Sequence, residues 1–101
     1  MSNTDQKMKK AVEKEIVICA AMRHPHLDHI VIKGHRHSDC LFALWGMGYS
    51  KHQAVLFDQG FITSQNRFVD RVEALEIQKA AGIKSYSKDG YRHELNSEDL
   101  Y

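Results

Sequence analysis

The sequence has almost no net charge, a single proline and no apolar run long enough to cross a membrane. Its formal net charge is +1 over 101 residues, whereas nucleic-acid-binding proteins usually carry a clear basic excess. The N-terminus also lacks the apolar segment of a secretory signal peptide. These features predict a cytoplasmic protein without membrane contact, and they argue against a nucleic-acid partner.

The signatures of cofactor binding and catalysis are also missing. Cys19 and Cys40 lack Cys-x-x-Cys spacing, so the chain has no pattern of a disulfide framework or a zinc ribbon. Neither GxxxxGK[ST] nor GxGxxG, the glycine-rich loops that cradle phosphates, occurs in the chain. Ser38 lies between His37 and Asp39, but neighbours in sequence rarely form a catalytic triad. We therefore predict no cofactor, no metal site and no enzymatic activity.

Histidine is the residue type that supports an alternative. The chain has seven histidines, and residues 24–29 contain three of them together with an aspartate. His35 and His37 form a further pair with one residue between them. Three such side chains suffice to hold a catalytic Zn²⁺ ion when they converge. A metal-dependent hydrolase is therefore the first alternative interpretation.

The hydrophobic pattern predicts one α+β domain over residues 15–101, preceded by a polar tail over residues 1–14. The apolar run 15–22 is rich in β-branched residues, which is typical of a central strand. Residues 29–33 and 54–57 predict two more strands. We expect an antiparallel or mixed sheet of about four strands, with two main helices packed on it.

The clearest local signals lie in residues 60–82. Apolar residues flank a polar turn at 64–66, which predicts a short hairpin, and residues 58–60 predict a turn or bulge before it. Asp70 is a good N-cap for the helix that follows, and Glu73 is placed to complete a capping box. A hairpin that leads into a helix N-terminus gathers free N–H groups and the positive end of the helix dipole. This arrangement favours an anion.

A second polar cluster lies at the start of the other predicted helix, in residues 35–48, where Ser38 or Asp39 can act as the N-cap. Arginine binds phosphate through two hydrogen bonds, and an aromatic ring stacks on a base. The two clusters therefore predict a site for a small nucleotide. The candidate ligand-binding residues are Arg36, His37, Ser38, Asp39, Phe61, Thr63, Asn66, Arg67 and Arg71.

Three segments of the chain resemble a known group of proteins. They are RHSD at 36–39, GFITSQNRFVDRVEA at 60–74 and SEDLY at 97–101. In these segments the chain resembles a widespread group of small phage-encoded proteins, mostly of unknown function. More distantly, it is similar to the anti-Thoeris proteins, which are oligomeric phage sponges that sequester cyclic ADP-ribose isomers made by bacterial TIR proteins.

The resemblance implies a homo-oligomer that acts in the host cytosol and binds its ligand without turnover. We therefore expect a phage counter-defence protein that binds and withholds a cyclic nucleotide immune signal, either a cyclic ADP-ribose isomer or a cyclic oligonucleotide. The SEDLY tail is expected to dock against its own domain or a neighbouring subunit. A protein-binding inhibitor of a host enzyme is the second alternative.

Overall fold

The computed structural model describes residues 14–101, which form four strands, three α-helices and one short 3-10 helix. The polar tail expected over residues 1–14 lies outside this range except for Lys14. In chain order the elements are β1 (Val17–Arg23), β2 (Val31–Gly34), α1 (His37–Gly46), α2 (Lys51–Val55), β3 (Asp58–Thr63), β4 (Phe68–Val69), α3 (Arg71–Ala80) and the 3-10 helix (Ser97–Asp99). These elements confirm the predicted α+β class, in which α1 and α3 are the main helices.

The first apolar run forms a central strand, as its β-branched composition predicts. The strand order is β2-β1-β3-β4, and each neighbouring pair is antiparallel. Ala20 lies opposite Phe61, and Phe61 lies opposite Val69 in the next pair of strands. All three side chains belong to the hydrophobic core, so they mark the face of the sheet that the helices cover.

Helices α1 and α3 pack on this face and bury Leu44 and Ala74 respectively. The small side chain of Ala74 permits a close approach to the sheet. The packing brings the first residues of the two helices into contact, with Arg71 Nη2 at 3.3 Å from His37 Nδ1. The buried core consists of Val17, Ala20, Met22, Cys40, Leu44, Ala54, Phe57, Phe61, Val69, Ala74, Leu75 and Leu95.

The hairpin and helix of residues 60–82 are confirmed. Residues 64–66 connect β3 to β4, and Asp70 Oδ1 accepts a hydrogen bond of 2.8 Å from Glu73 N at the start of α3. Gly82 has a φ of +74°, the left-handed conformation that glycine adopts readily after a helix. The Glu73 carboxylate lies 3.3 Å from Arg67 Nη2 instead of completing the predicted capping box.

The strand predicted at residues 54–57 is wrong, because its first residues belong to helix α2. Ser50 Oγ accepts a hydrogen bond of 3.1 Å from Gln53 N, and Gln53 Oε1 accepts one of 2.8 Å from Ser50 N. This capping box satisfies N–H groups at the helix start and begins a helix that continues into the apolar residues. The local cap therefore overrides the strand-like pattern.

The turn or bulge predicted at residues 58–60 is also wrong, because these residues begin strand β3. Gly60 is buried within the strand, and a Cβ atom there would lie only 2.2 Å from the carbonyl oxygen of Val69. Glycine is required here because the backbone of β4 approaches closely. The glycine at this position is required by the structure, but the reason is the close approach of the β3 and β4 backbones and not a turn.

The predicted N-cap of α1 is wrong as well. Arg36 is the N-cap residue, and Ser38 and Asp39 lie in the first turn of the helix. Asp39 Oδ2 accepts a hydrogen bond of 2.9 Å from Arg36 N, so the carboxylate holds the helix start from within the first turn. The arginine therefore lies at the very N-terminus of α1.

Candidate functional site

A pocket of about 280 Å³ lies where the first residues of α1, α3 and the 3-10 helix meet. The carboxylates of Asp39, Asp70 and Asp99 already accept from N–H groups at the three helix starts, so the arginine side chains are the groups that would attract an anion to this junction. We call it the Arg36–Arg71 pocket. It is lined by Arg36, His37, Ser38, Arg71, Asn96, Ser97 and Glu98.

Arg71 is held in this pocket by neutral acceptors. Its Nη1 atom donates to Leu95 O at 3.0 Å and to Asn96 Oδ1 at 3.4 Å. Its Nη2 atom donates to Gln59 Oε1 at 2.7 Å and lies 3.3 Å from His37 Nδ1. Within residues 14–101 no carboxylate forms an ion pair with Arg71. Its positive charge is therefore positioned but not neutralised.

Arg36 has a similarly incomplete set of partners. Its Nη2 atom donates to the main-chain oxygen of Tyr101 at 2.6 Å, and the guanidinium lies 5.5 Å from the centre of the Tyr101 ring. The Nη1 atom of Arg36 is buried and has no hydrogen-bond partner in the described part of the chain. A buried donor normally has an acceptor, so this guanidinium retains an unused hydrogen-bonding capacity.

His37 positions Arg71. Its Nε2 atom lies 2.8 Å from Gly60 O, and because a carbonyl oxygen only accepts, Nε2 carries the proton and Nδ1 is free to accept from Arg71. Burial lowers the pKa of His37, the charge of Arg71 lowers it further, and the hydrogen bond to Gly60 opposes both. The neutral imidazole therefore acts as an acceptor that holds the Arg71 guanidinium in the pocket.

Arg67 and Thr63 lie in a different cluster, which we call the Glu15 cluster. The Nε and Nη2 atoms of Arg67 donate to Glu15 Oε2 and Oε1 at 2.9 and 2.8 Å, and Thr63 Oγ1 donates to Glu15 Oε2. These hydrogen bonds hold the pKa of the Glu15 carboxyl below its ordinary value and raise the pKa of Arg67. Glu73 adds a second carboxylate at 3.3 Å from Arg67 Nη2. The charge of this arginine is neutralised within the protein.

The remaining predicted residues lie at three further positions. Asn66 is at a turn position with a φ of +59°, and it lines a separate groove of about 480 Å³ with Arg23 and Phe68. Phe61 is fully buried, with the Arg71 guanidinium 5.8 Å from its ring centre. Asp39 is exposed and faces the Arg36 main chain. Of the nine predicted residues, the pocket brings together Arg36, His37, Ser38 and Arg71.

Sequence reasoning missed the contribution of the C-terminal segment. Leu95 is fully buried, and its N–H donates to Arg71 O at 2.9 Å, so this segment is fixed beside α3. The last residue, Tyr101, stacks on His35 with ring centres 3.8 Å apart. Of the two predicted alternatives for the tail, its own domain or a neighbouring subunit, the structure shows docking against its own domain. The motif SEDLY was the available signal, but it did not indicate which helix the tail contacts.

The histidines of residues 24–29 do not form a metal site in the part of the chain that the structure describes. Among residues 14–101 no three His, Cys, Asp or Glu side chains are placed to hold a metal ion together. His24 instead packs edge-on against Phe57, and its Nδ1 atom accepts from His26 N and Leu27 N. Nor does any helix in this range have the length and apolar character needed to span a membrane.

The fold and the pocket define a small α+β protein with a basic site at the junction of helix N-termini. Residues 16–101 match the family described as Phage T4 y16D protein, and the chain belongs to this family. The match confirms the resemblance to small phage proteins, while the similarity to anti-Thoeris proteins stays a hypothesis. No curated protein and no solved structure matches the chain.

Proposed function

We propose that this phage-family protein binds a nucleotide through its phosphate in the Arg36–Arg71 pocket and holds it without chemical change. The observation that carries the proposal is the convergence of two arginines, neither of which forms an ion pair with an Asp or Glu side chain within residues 14–101. Guanidinium groups form strong bidentate hydrogen bonds with phosphate oxygens. A phosphate would supply the anion and would also satisfy the buried Nη1 donor of Arg36.

The biological role that we propose is counter-defence in the cytosol of an infected cell. A protein that withholds an immune signal needs tight binding and slow release, and both depend on preformed donors such as Arg71. Membership of a phage protein family supports this setting. The ligand is then a cyclic ADP-ribose isomer or a cyclic oligonucleotide, and the protein removes it from solution stoichiometrically.

The size of the pocket supports the binding of one nucleotide unit of the ligand by each copy of the chain. Pockets for small molecules usually enclose roughly 300 to 1,000 Å³. The Arg36–Arg71 pocket, at about 280 Å³, has room for one nucleotide unit. A cyclic dinucleotide or trinucleotide would extend beyond it, and a second copy of the chain would then supply the remaining contacts. This is the structural reason for proposing a homo-oligomer.

Calorimetric titration of the purified protein with cyclic ADP-ribose isomers and cyclic di- and trinucleotides tests the proposal. Bound ligand is then released by heat and identified by chromatography. We expect near-stoichiometric recovery of one unchanged ligand. Recovery of a cleaved product would overturn binding without turnover, and failure of every nucleotide to bind would overturn the assignment of the pocket.

One observation favours a second candidate, a protein-binding inhibitor. Phe42, Val55 and Leu56 are 66%, 62% and 67% exposed on α1, on α2 and directly after α2. Exposed apolar side chains that form one contiguous patch are typical of surfaces that bind other proteins. Capture of one host protein by the wild type, and its loss on Phe42→Ser and Leu56→Ser substitution, would support this candidate over nucleotide binding.

A further inference from the structure

Glu98 is the feature of the pocket that phosphate binding does not explain. It lies in the 3-10 helix and lines the same pocket as Arg36 and Arg71. In the described part of the chain it forms no ion pair with either arginine. The neighbouring carboxylate of Asp99 differs, because it accepts hydrogen bonds from Ser85 Oγ and from Asn96 N. Glu98 is thus an exposed acidic residue that lines this pocket beside two cationic side chains and has no ion-pair partner of its own within residues 14–101.

A carboxylate at this position would weaken the binding of an inorganic anion to the arginines. A ligand that joins an anion to neutral hydroxyl groups would satisfy both kinds of side chain. Carboxylates recognise ribose in this way, since an ionised carboxylate accepts hydrogen bonds from sugar hydroxyl groups. We infer that Glu98 is a specificity-determining residue that binds the ribose hydroxyl groups of a ribonucleotide whose phosphate lies against the arginines. This inference rests on the proposed function.

The segment that carries Glu98 is fixed relative to Arg71. Arg71 Nη1 donates to Leu95 O at 3.0 Å, and Leu95 N donates to Arg71 O at 2.9 Å. Asn96 connects to both sides, because its Oδ1 atom accepts from Arg71 and its N–H donates to Asp99 Oδ2 at 2.9 Å. The main chain that leads to Glu98 is thus held beside Arg71. A backbone that is already fixed loses less conformational entropy when a ligand binds.

The experiment compares three probes, which are adenosine 5′-monophosphate, its 2′-deoxy analogue and inorganic phosphate, by calorimetric titration. The proteins are the wild type, Glu98→Ala and the control Glu76→Ala, which removes an exposed carboxylate of α3 that does not line the pocket. We expect the wild type to prefer the ribonucleotide by about 10-fold, the effect of one hydrogen bond to a charged group. Glu98→Ala should abolish this preference, and Glu76→Ala should keep it.

The affinity for inorganic phosphate gives a second measurement, which the same substitution is expected to increase. Removal of the repelling carboxylate in Glu98→Ala should increase phosphate affinity by a few fold, while loss of folding would decrease it. Equal affinity of the wild type for the two nucleotides, with phosphate binding that is weakened by Arg36→Gln, would overturn the role of Glu98 and leave the proposed function intact. Failure of the wild type to bind any of these three probes or any of the cyclic nucleotides would overturn both.

Discussion

The two arginine clusters of this molecule hold their charges in opposite ways. In the Glu15 cluster, Arg67 forms two hydrogen bonds with one carboxylate and lies 3.3 Å from a second, so its charge is neutralised inside the protein. In the Arg36–Arg71 pocket, the partners of Arg71 are carbonyl, amide and imidazole groups. The first cluster joins two segments of the chain, whereas the second leaves a positive charge available for a ligand.

The difference shows why the position of an arginine in sequence does not define its role. Arg67 and Arg71 flank the same helix N-terminus and look equivalent in the motif GFITSQNRFVDRVEA. In the structure their acceptors come from opposite ends of the chain, since Arg67 bonds to Glu15 and Arg71 bonds to the Leu95 carbonyl. The identity of the acceptor, a carboxylate or a carbonyl, decides whether the guanidinium has charge left for a phosphate.

The largest effect that we expect separates these two arginines directly. Arg71→Ala should weaken nucleotide binding by about 100-fold, because it removes a partly buried positive charge and its hydrogen bonds. Arg67→Ala should leave the affinity unchanged. Calorimetric titration with the nucleotide identified for the wild type measures both.

A control for Arg71→Ala is needed because the guanidinium also anchors Leu95 and Asn96. Arg71→Lys keeps the charge but loses the fork of donors, so we expect a loss of about 10-fold with the fold retained. Thermal denaturation confirms folding of each variant. An equal loss of affinity in Arg67→Ala and Arg71→Ala would show that the two clusters act as one site. It would contradict the conclusion that only Arg71 has charge available for a ligand.

A second prediction uses pH to separate the clusters. Burial lowers the pKa of His37 below 6.5, and the hydrogen bonds from Arg67 and Thr63 lower the pKa of Glu15 below 4.5. Because both pKa values are lower in the folded protein, the unfolded chain takes up each proton at a higher pH than the folded protein does. Each contribution to stability is therefore complete above the ordinary pKa and is lost as the pH falls towards the lowered one. The pocket should weaken first, from about pH 6.5 downwards.

Urea unfolding between pH 8 and pH 4 measures these two steps. His37→Gln should remove the decrease in the free energy of unfolding that begins near the ordinary histidine pKa of 6.5. Glu15→Gln should remove the decrease that begins near 4.5. His52→Gln, at an exposed histidine outside both clusters, should retain both decreases. A pH profile of His37→Gln identical to that of the wild type would contradict the assigned role of the imidazole.

The parts of the fold that could be predicted are those with local causes. The helix that starts after Asp70 and ends before Gly82 follows from its caps, and the hairpin follows from the polar turn at 64–66. The helix at Lys51–Val55 is not predicted by the hydrophobic pattern, because the apolar run at its end resembles a strand while the capping box at its start favours a helix. Local signals are present for both helices. For the helix at Lys51–Val55, however, the capping box and the apolar run predict different structures.

The site was only half predictable for a different reason. Arg36 and Arg71 were identified as residues at helix N-termini, and the packing of α1 and α3 on the same sheet brings them to one pocket. Glu98 and the other C-terminal residues of the pocket were not identified. The contacts that bring this segment to the pocket, from Arg71 to Leu95 and Asn96, span more than twenty residues of sequence. Neither periodicity nor capping reports which distant segment a docked tail contacts.

The smallest effect that we expect concerns the Glu15 cluster at neutral pH. The Arg67 side chain is 47% exposed and that of Glu15 is 15% exposed, so solvent screens their attraction. Exposed ion pairs contribute little to stability. Glu15→Gln should therefore lower the melting temperature by about 5 °C or less and should leave nucleotide affinity unchanged.

A double-mutant cycle of Glu15→Gln with Arg67→Met isolates the interaction between these two residues. If the Glu15 cluster only joins segments of the fold, the two substitutions should be non-additive in melting temperature and without effect in the nucleotide titration. A change of affinity in either single variant would instead mean that the neutralised arginine communicates with the pocket. The Glu73 carboxylate, close to Arg67 and on the same helix as Arg71, would then be the connection to examine by Glu73→Gln.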